Sequence, residues 1–155
     1  MILYIDTTNA EKMTIALGNG GKIVAKRSLK AKYRQAEKLL PAIDYLIKKI
    51  KFHNTSRKIQ GKVQRNVDLS HILDEIVVVN GPGPFTATRI GVATANALGY
   101  GLQIAVSGIK NSEFKNIDEL IKDGRDKTKK SNFKQNVVEP FYDKSPNITT
   151  KHKIL

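Results

Sequence analysis

The chain has 155 residues and a formal net charge of +13, with 27 Lys and Arg against 14 Asp and Glu. This length supports one domain with a core, and a hydrophobic content of 40% excludes a mainly disordered chain. The absence of cysteine excludes disulfides and thiolate zinc sites, and it fits a reducing, cytoplasmic setting. The first apolar run stops at Asp6 with no basic segment before it, so we expect neither a signal peptide nor a membrane span.

Three strands are predicted in the first thirty residues. Ile2–Ile5 is a short apolar run typical of a buried strand, and Met13–Leu17 alternates between apolar and small residues. The turn sequence Gly18–Gly21 then leads into Lys22–Leu29. We therefore expect an antiparallel three-stranded meander.

A helix is predicted over Arg34–Ile50, where apolar residues fall on one stripe. Pro41 interrupts this stripe and should kink the helix or delay its start to Leu39 or Leu40. Residues 51–70 are polar and basic without a period, and we expect a loop there. The stripe consists of Leu39, Leu40, Ile43, Leu46, Ile47 and Ile50.

A second α/β unit follows. Ile76–Val79 is β-branched throughout, which is typical of a central strand covered on both faces. After a Gly-Pro turn, a helix is expected from Thr86, its predicted N-cap, to about Tyr100, and a strand over Gln103–Val106. Residues 116–124 could form a short helix, and residues 125–155 look extended or loosely ordered.

The predicted order is β-β-β-α-β-α-β. Right-handed crossovers would join these elements into one five-stranded mixed sheet. The predicted fold class is therefore α/β, a single lobe of the ribonuclease H-like kind from which actin-like (ASKHA) proteins are built.

One short segment resembles a family signature. The sequence from Gly81 to Gly91, G-P-G-P-F-T-A-T-R-I-G, is similar to the G-P-G-S-F-T-G-x-R-I-G signature of the TsaB family, with Pro84 and Ala87 as departures. That family takes part in the biosynthesis of threonylcarbamoyladenosine in tRNA and was once described as glycoprotease-like. The positions expected to build a structural loop here are Gly81, Pro82, Gly83, Phe85, Thr86 and Arg89. Ile5–Thr8, Arg34–Pro41 and Glu139–Tyr142 resemble further family segments, in the same order.

The resemblance implies a fold and a role. Residues 1–110 would form an actin-like lobe, and residues 111–155 a reduced second lobe and a C-terminal tail. The chain would be a non-catalytic, cytoplasmic scaffold that binds a TsaD-type catalytic subunit, together with a TsaE-type ATPase subunit. In the family, the two long helices pair with the TsaD-type partner.

The residues favour this role over catalysis. The three histidines, His53, His71 and His152, lie in predicted loops or in the tail, and none pairs with another on one helix face, so no metal or other cofactor is expected. A weak nucleotide-binding candidate remains at Asp6–Thr8 (Asp6, Thr7 and Thr8), where an isolated carboxylate more simply caps a turn. A glycoprotease-like or nucleotide-hydrolysing enzyme is the alternative.

The second predicted helix is apolar nearly all round. Ala87, Gly91, Ala95 and Gly99 recur every four residues and form a ridge of small side chains that would let another helix approach closely. That helix could belong to a partner or to the chain itself. The predicted partner interface consists of Leu40, Ile43, Ile47, Ala87, Ile90, Gly91, Thr94, Ala95 and Leu98.

Positive charge is concentrated in one segment. Residues 48–67 contain seven Lys or Arg and no Asp or Glu. This segment could contact a tRNA backbone, or it could be a solvated loop. A tRNA-binding module is thus a further alternative, and a homodimer of the isolated chain stays open.

Overall fold

The computed structural model describes residues 1–55, 72–122 and 137–143, and no side chains of residues 51–55. Five strands form one sheet in the order β3-β2-β1-β4-β5. The strands are β1 Ile2–Asp6, β2 Lys12–Asn19, β3 Lys22–Lys30, β4 Glu75–Gly81 and β5 Ala105–Lys110.

Strand β1 is the centre of the sheet. It pairs antiparallel with β2, where Leu3 lies opposite Leu17, and parallel with β4, where Leu3 lies opposite Ile76. Strands β2 and β3 form a hairpin, and β5 adds in parallel to β4. The predicted mixed sheet, with three antiparallel strands followed by two crossovers, is confirmed.

The helices cover the two faces of this sheet. Helices α1 (Gln35–Thr55) and α2 (Phe85–Leu102) pack on the face that carries Leu3 and Ile5. Helix α3 (Ile117–Lys122) packs on the opposite face, after a short 3-10 helix at Asn111–Glu113. The alternation of side chains along a strand produces these two cores. The second core contains Ile2, Tyr4, Ala16, Val79, Ile109, Ile117, Leu120 and Ile121.

Helix α1 differs from its prediction at both ends. It begins at Gln35 and contains Pro41, so a late start at Leu39 or Leu40 is wrong. A proline inside a helix removes one backbone hydrogen bond. Here the buried stripe around Leu39 and Leu46 offsets that loss. The helix continues to Thr55, into the segment predicted as a loop, whose remainder lies outside the described residues.

The second unit also has shifted boundaries. Helix α2 begins at Phe85, and Pro84 occupies the N-cap position without a side-chain hydrogen bond, so the predicted N-cap at Thr86 is wrong. Gln103 does not start a strand but ends α2 in the left-handed conformation, with φ of 56°. Its amide donates to Tyr100 O and the next amide to Gly99 O, which satisfies the last carbonyls of the helix. Strand β5 therefore starts two residues later than predicted.

The sheet brings several chain ends together. The carboxyl ends of the parallel strands β1, β4 and β5 lie together at one end of the sheet, and we call this row of strand ends the carboxyl edge. The start of β2 and the end of β3 lie there too, because Asp6 pairs with Thr14 and Lys12 pairs with Lys30. Both long helices begin immediately after this edge. The loop that resembles the family signature is therefore placed between strand ends and helix starts.

Candidate functional site

The loop that follows β4 is locked against the end of β1. The buried Thr7 hydroxyl donates to Ala87 O at 2.7 Å, which ties the β1 end to the first turn of α2. Gly83 lies so close to Thr8 that a Cβ atom would come within 2.7 Å of the Thr8 carbonyl oxygen. One carboxylate oxygen of Asp6 accepts from the amide and the hydroxyl of Thr8, at 2.9 and 2.7 Å. The side chains of Asp6, Thr7 and Thr8, the weak nucleotide-binding candidate, are thus hydrogen-bonded within the protein.

The small-residue ridge faces the sheet. A Cβ at Gly91 would lie 2.2 Å from Thr7 Oγ1, and one at Gly99 would lie 2.1 Å from a methyl carbon of Val106. Ala95 is fully buried in the main core, and Ala87 is buried at the Thr7 hydrogen bond. The two glycines of the ridge thus approach the residue that follows β1 and strand β5. Ala87, Gly91 and Ala95 are therefore unavailable to an external partner.

The short C-terminal segment 137–143, which we call the tail segment, docks onto the same region. The Phe141 amide donates to Asn80 O at 2.6 Å, and the Asn80 side-chain amide donates to Glu139 O at 3.0 Å. The Asn96 side chain donates to Val138 O at 2.9 Å and accepts from the Val138 amide at 3.1 Å. Two asparagines thus bind the backbone of the tail segment, Asn80 through its own backbone and side chain and Asn96 through its side chain.

Aromatic rings complete this dock. The rings of Phe85 and Tyr142 stack with centroids 5.1 Å apart. The Arg89 guanidinium lies 3.6 Å from the Phe85 ring centroid and donates to the Tyr142 hydroxyl at 2.8 Å. Lys110 Nζ lies 4.1 Å from the Phe141 ring centroid. The signature positions Phe85 and Arg89 therefore act together as the receptor for the tail aromatic residues, a pairing that the separate motifs did not reveal.

Replacing Tyr142 by Ala should release the tail segment. The change removes the ring stack and the Arg89 hydrogen bond, and we expect it to lower the free energy of unfolding by about 1–2 kcal/mol. Urea denaturation measures the stability, and hydrogen exchange at residues 137–143 reports the release. Tyr100→Ala is the matched control, since Tyr100 is exposed on α2, the helix that carries Phe85 and Arg89. Equal effects of the two substitutions would contradict the docking role of Tyr142.

The predicted interface residues divide into core and surface groups. Ile43 and Ile47 are buried in the main core beneath α1. Leu40 on the same helix is 54% exposed. On α2, the half-buried positions are Ile90, Thr94 and Leu98, and the small residues Ala93 and Ala97 are exposed beside them. We call Leu40, Ile90, Ala93, Thr94, Ala97 and Leu98 the helix-pair face.

Other predicted sites have less structural support. The described residues contain no cluster of three or more His, Asp or Glu able to hold a metal ion. The three histidines and most of the basic segment 48–67 fall outside the part described in side-chain detail. In residues 1–55, 72–122 and 137–143 there is no helix with the length and apolar character needed to cross a membrane.

Comparison with known proteins identifies the family. Residues 30–115, more than half of the chain, match the family model described as TsaD, tRNA N6-adenosine threonylcarbamoyltransferase. The chain belongs to this family. Among its members, the chain is 29% identical over 113 residues to the tRNA threonylcarbamoyladenosine biosynthesis protein TsaB of Bacillus subtilis, covering 72% of this chain and 42% of that protein. The resemblance of the signature to TsaB is thus confirmed.

A solved structure agrees with this placement. YeaZ from Pseudomonas aeruginosa has a TM-score of 0.56 and 26% sequence identity, and the match covers 70% of this chain and 43% of that chain. An uncharacterized protein of Mycobacterium leprae is 57% identical over 37 residues, which are 24% of this chain and 10% of that protein. The actin-like fold class is confirmed. The match covers less than half the length of each of these three proteins.

Proposed function

We propose that this TsaB-type chain is a non-catalytic scaffold in the modification of tRNA with threonylcarbamoyladenosine. In this proposal it binds and supports a TsaD-type catalytic subunit. With a TsaE-type ATPase subunit, the complex transfers a threonylcarbamoyl group to the adenosine beside the anticodon, in the cytoplasm. Family membership and the name of the B. subtilis relative support the pathway. The surface of the two long helices supports the scaffold role.

The observation that carries the proposal is the helix-pair face. Leu40 exposes 54% of its surface on α1, and α2 presents Ala93 and Ala97 to solvent next to the half-buried Ile90. Small residues on α2 let a partner helix approach the backbone, and Leu40 supplies the larger apolar anchor. Burying a leucine side chain contributes roughly 1.5–3 kcal/mol to association. A helical partner fits this surface, since both contributing elements are helices.

The chemistry of the carboxyl edge also favours a scaffold over an enzyme. Asp6 is bonded to Thr8, and Thr7 is bonded to Ala87, so both side chains serve the fold. Hydrolysis of a nucleotide or a peptide needs an activated nucleophile or a metal held by several converging ligands. The described residues contain no group of three or more His, Asp or Glu that could hold such a metal.

Replacing Leu40 by Asp should weaken capture of the TsaD-type protein of the same organism at least tenfold. The reason is that a carboxylate must be desolvated where an apolar side chain was buried, and about 1.4 kcal/mol corresponds to a factor of ten. Leu40 is exposed in the isolated chain, so its stability should change little. Affinity is measured by titration calorimetry of the two purified proteins.

The control for this experiment is Val24→Asp. Val24 is exposed on the edge strand β3 and does not belong to the helix-pair face, so its replacement should leave capture unchanged. If Leu40→Asp binds as well as the parent chain, the helix-pair face is not the interface. A homodimer formed through the same face would appear as a dimer that dissociates on Leu40→Asp, before any partner is added.

A further inference from the structure

The turn between β3 and α1 has an unusual residue at its third position. The Arg34 amide donates to Ala31 O at 2.7 Å, which closes a four-residue turn, and Ala31 is anchored by its own amide to Glu11 O at 2.9 Å. Tyr33, the third residue of this turn, has φ of +56°. Positive φ at this position is the reason that such turns usually contain Gly or Asn. A tyrosine therefore destabilises the turn relative to glycine.

Packing does not explain the tyrosine. The residue is 91% exposed, the most exposed large hydrophobic residue in the described parts of the chain. Its ring lies 5.8 Å from Lys32 Nζ, and Lys32 in turn pairs with Glu11 at 2.9 Å. The turn thus holds a flat aromatic ring out in water at a cost in backbone conformation. An aromatic ring held in this way is available to stack on a ligand.

Positive charge is concentrated at the same end of the β2–β3 hairpin, and it also lowers the stability of the fold. Lys12 and Lys30 lie directly opposite each other where β2 pairs with β3, and like charges at such positions destabilise a sheet. Neither ammonium group has an ion pair among the residues described here. Lys38 Nζ donates to Lys30 O at 2.8 Å, which adds a third cation to the cluster. The Arg34 guanidinium is bound by Glu37, which lowers the pKa of that carboxyl, so Arg34 is left out of the cluster.

We propose that Tyr33, Lys12, Lys30 and Lys38, which we call the Tyr33 cluster, bind single-stranded RNA. A base stacks on the Tyr33 ring, and neighbouring phosphates lie against the lysines. Stacking platforms beside basic grooves are the usual means by which proteins bind single strands. The choice of RNA, and of a tRNA loop in particular, rests on the proposed function. An acidic peptide would satisfy the lysines but would leave the exposed ring unexplained.

Tyr33→Gly gives a sharp test because it separates stability from binding. The substitution should raise the urea midpoint of unfolding, since glycine adopts positive φ without strain. It should also weaken binding to a fluorescent tRNA anticodon stem-loop at least about fivefold, the lower end for loss of one stacked base. Binding to inorganic polyphosphate, which has no bases, should stay unchanged.

Gln103→Gly is the matched control. Gln103 has the same φ of 56°, is exposed, and ends α2 at the opposite end of the sheet. Its replacement should also raise the urea midpoint, but it should leave RNA affinity unchanged. Equal RNA affinity of Tyr33→Gly and Gln103→Gly would overturn the proposal, and so would an equal loss of polyphosphate binding.

A second arm tests the lysines. Replacing Lys12 and Lys30 together by Gln should reduce the slope of log affinity against log salt by about 1.4, since each phosphate contact on a single strand contributes about 0.7. Lys22 and Lys122, near the other end of the β2–β3 hairpin, form the control pair with the same change in charge. An equal change in slope for both pairs would show general attraction and overturn the assignment.

The same variants distinguish the two proposals. Tyr33→Gly should capture the TsaD-type protein as well as the parent chain, because Tyr33 lies outside the helix-pair face. Retained capture with unchanged RNA affinity would remove the RNA contact and leave the scaffold function standing. Loss of capture by the parent chain itself would instead remove the scaffold function.

Discussion

Gly91→Ala should lower the free energy of unfolding by about 3 kcal/mol. The added methyl group would lie 2.2 Å from Thr7 Oγ1, so either the helix or the β1 end must move. Overpacking of this kind costs about 1–3 kcal/mol. Moving Thr7 also breaks its buried hydrogen bond to Ala87 O, which costs about another 1–3 kcal/mol. These costs exceed the gain of about 1 kcal/mol that alanine brings to a helix interior.

Gly101→Ala is the control for this prediction. Gly101 lies on the same helix, and a Cβ there meets nothing within 4 Å. We expect Gly101→Ala to be neutral or to stabilise by up to about 1 kcal/mol, measured by urea denaturation of both variants. Similar stabilities for the two variants would show that the approach of α2 to β1 is not a close one.

Gly81→Ala should be at least as damaging, and it should act on the tail segment. Gly81 has φ of +129°, which alanine adopts only at a cost of about 1–3 kcal/mol. Its Cβ would also lie 2.1 Å from the Phe141 carbonyl oxygen. We therefore expect a loss of about 3–4 kcal/mol in unfolding free energy, together with faster hydrogen exchange and proteolysis over residues 137–143.

Gly20→Ala is the control that measures backbone strain without a steric clash of the added methyl group. Gly20 also has positive φ, of +54°, but a Cβ there meets nothing within 4 Å. It should therefore show the smaller cost of backbone strain, about 1–2 kcal/mol, without any release of the tail segment. Tail protection that is equal in the Gly81 and Gly20 variants would refute the contact between Gly81 and Phe141.

The sheet could be predicted from the sequence because its signals are local. The apolar run Ile76–Val79, the alternation around Ile15 and the turn at Gly20 each determine one strand or one connection. Handedness then leaves few ways to connect five strands. The order of the sheet follows from these few constraints.

The orientation of α2 could not be predicted in the same way. Its sequence is apolar on most sides, so periodicity alone does not show which side faces the sheet. The ridge of Gly91 and Ala95 suits close packing against either a helix or a strand. Only the position of Thr7, 80 residues before Ala87, shows that the small residues face β1. That is long-range information, which the local pattern of α2 does not contain.

The sequence does not predict the two chain reversals at Tyr33 and Gln103, and the reason is a different one. Tyr33 and Gln103 both adopt positive φ, although neither residue type favours it. In Gln103 the conformation is stabilised by two backbone hydrogen bonds to the end of α2. Propensity rules identify only glycine and asparagine at such positions. They therefore do not recognise Gln103 as the end of α2, and the predicted start of β5 is two residues too early.

The docking of the tail segment has a consequence for synthesis of the protein. Asn80 and Asn96 are translated before the residues to which they are hydrogen-bonded, which are Val138, Glu139 and Phe141. When the sheet and the two long helices emerge from the ribosome, the surface around Phe85 is therefore not yet covered by the tail segment. The lobe reaches its full stability only after the tail segment has emerged as well. During that interval an apolar and aromatic surface is open to chaperones or to premature partners. The order of translation thus makes completion of this lobe a late event.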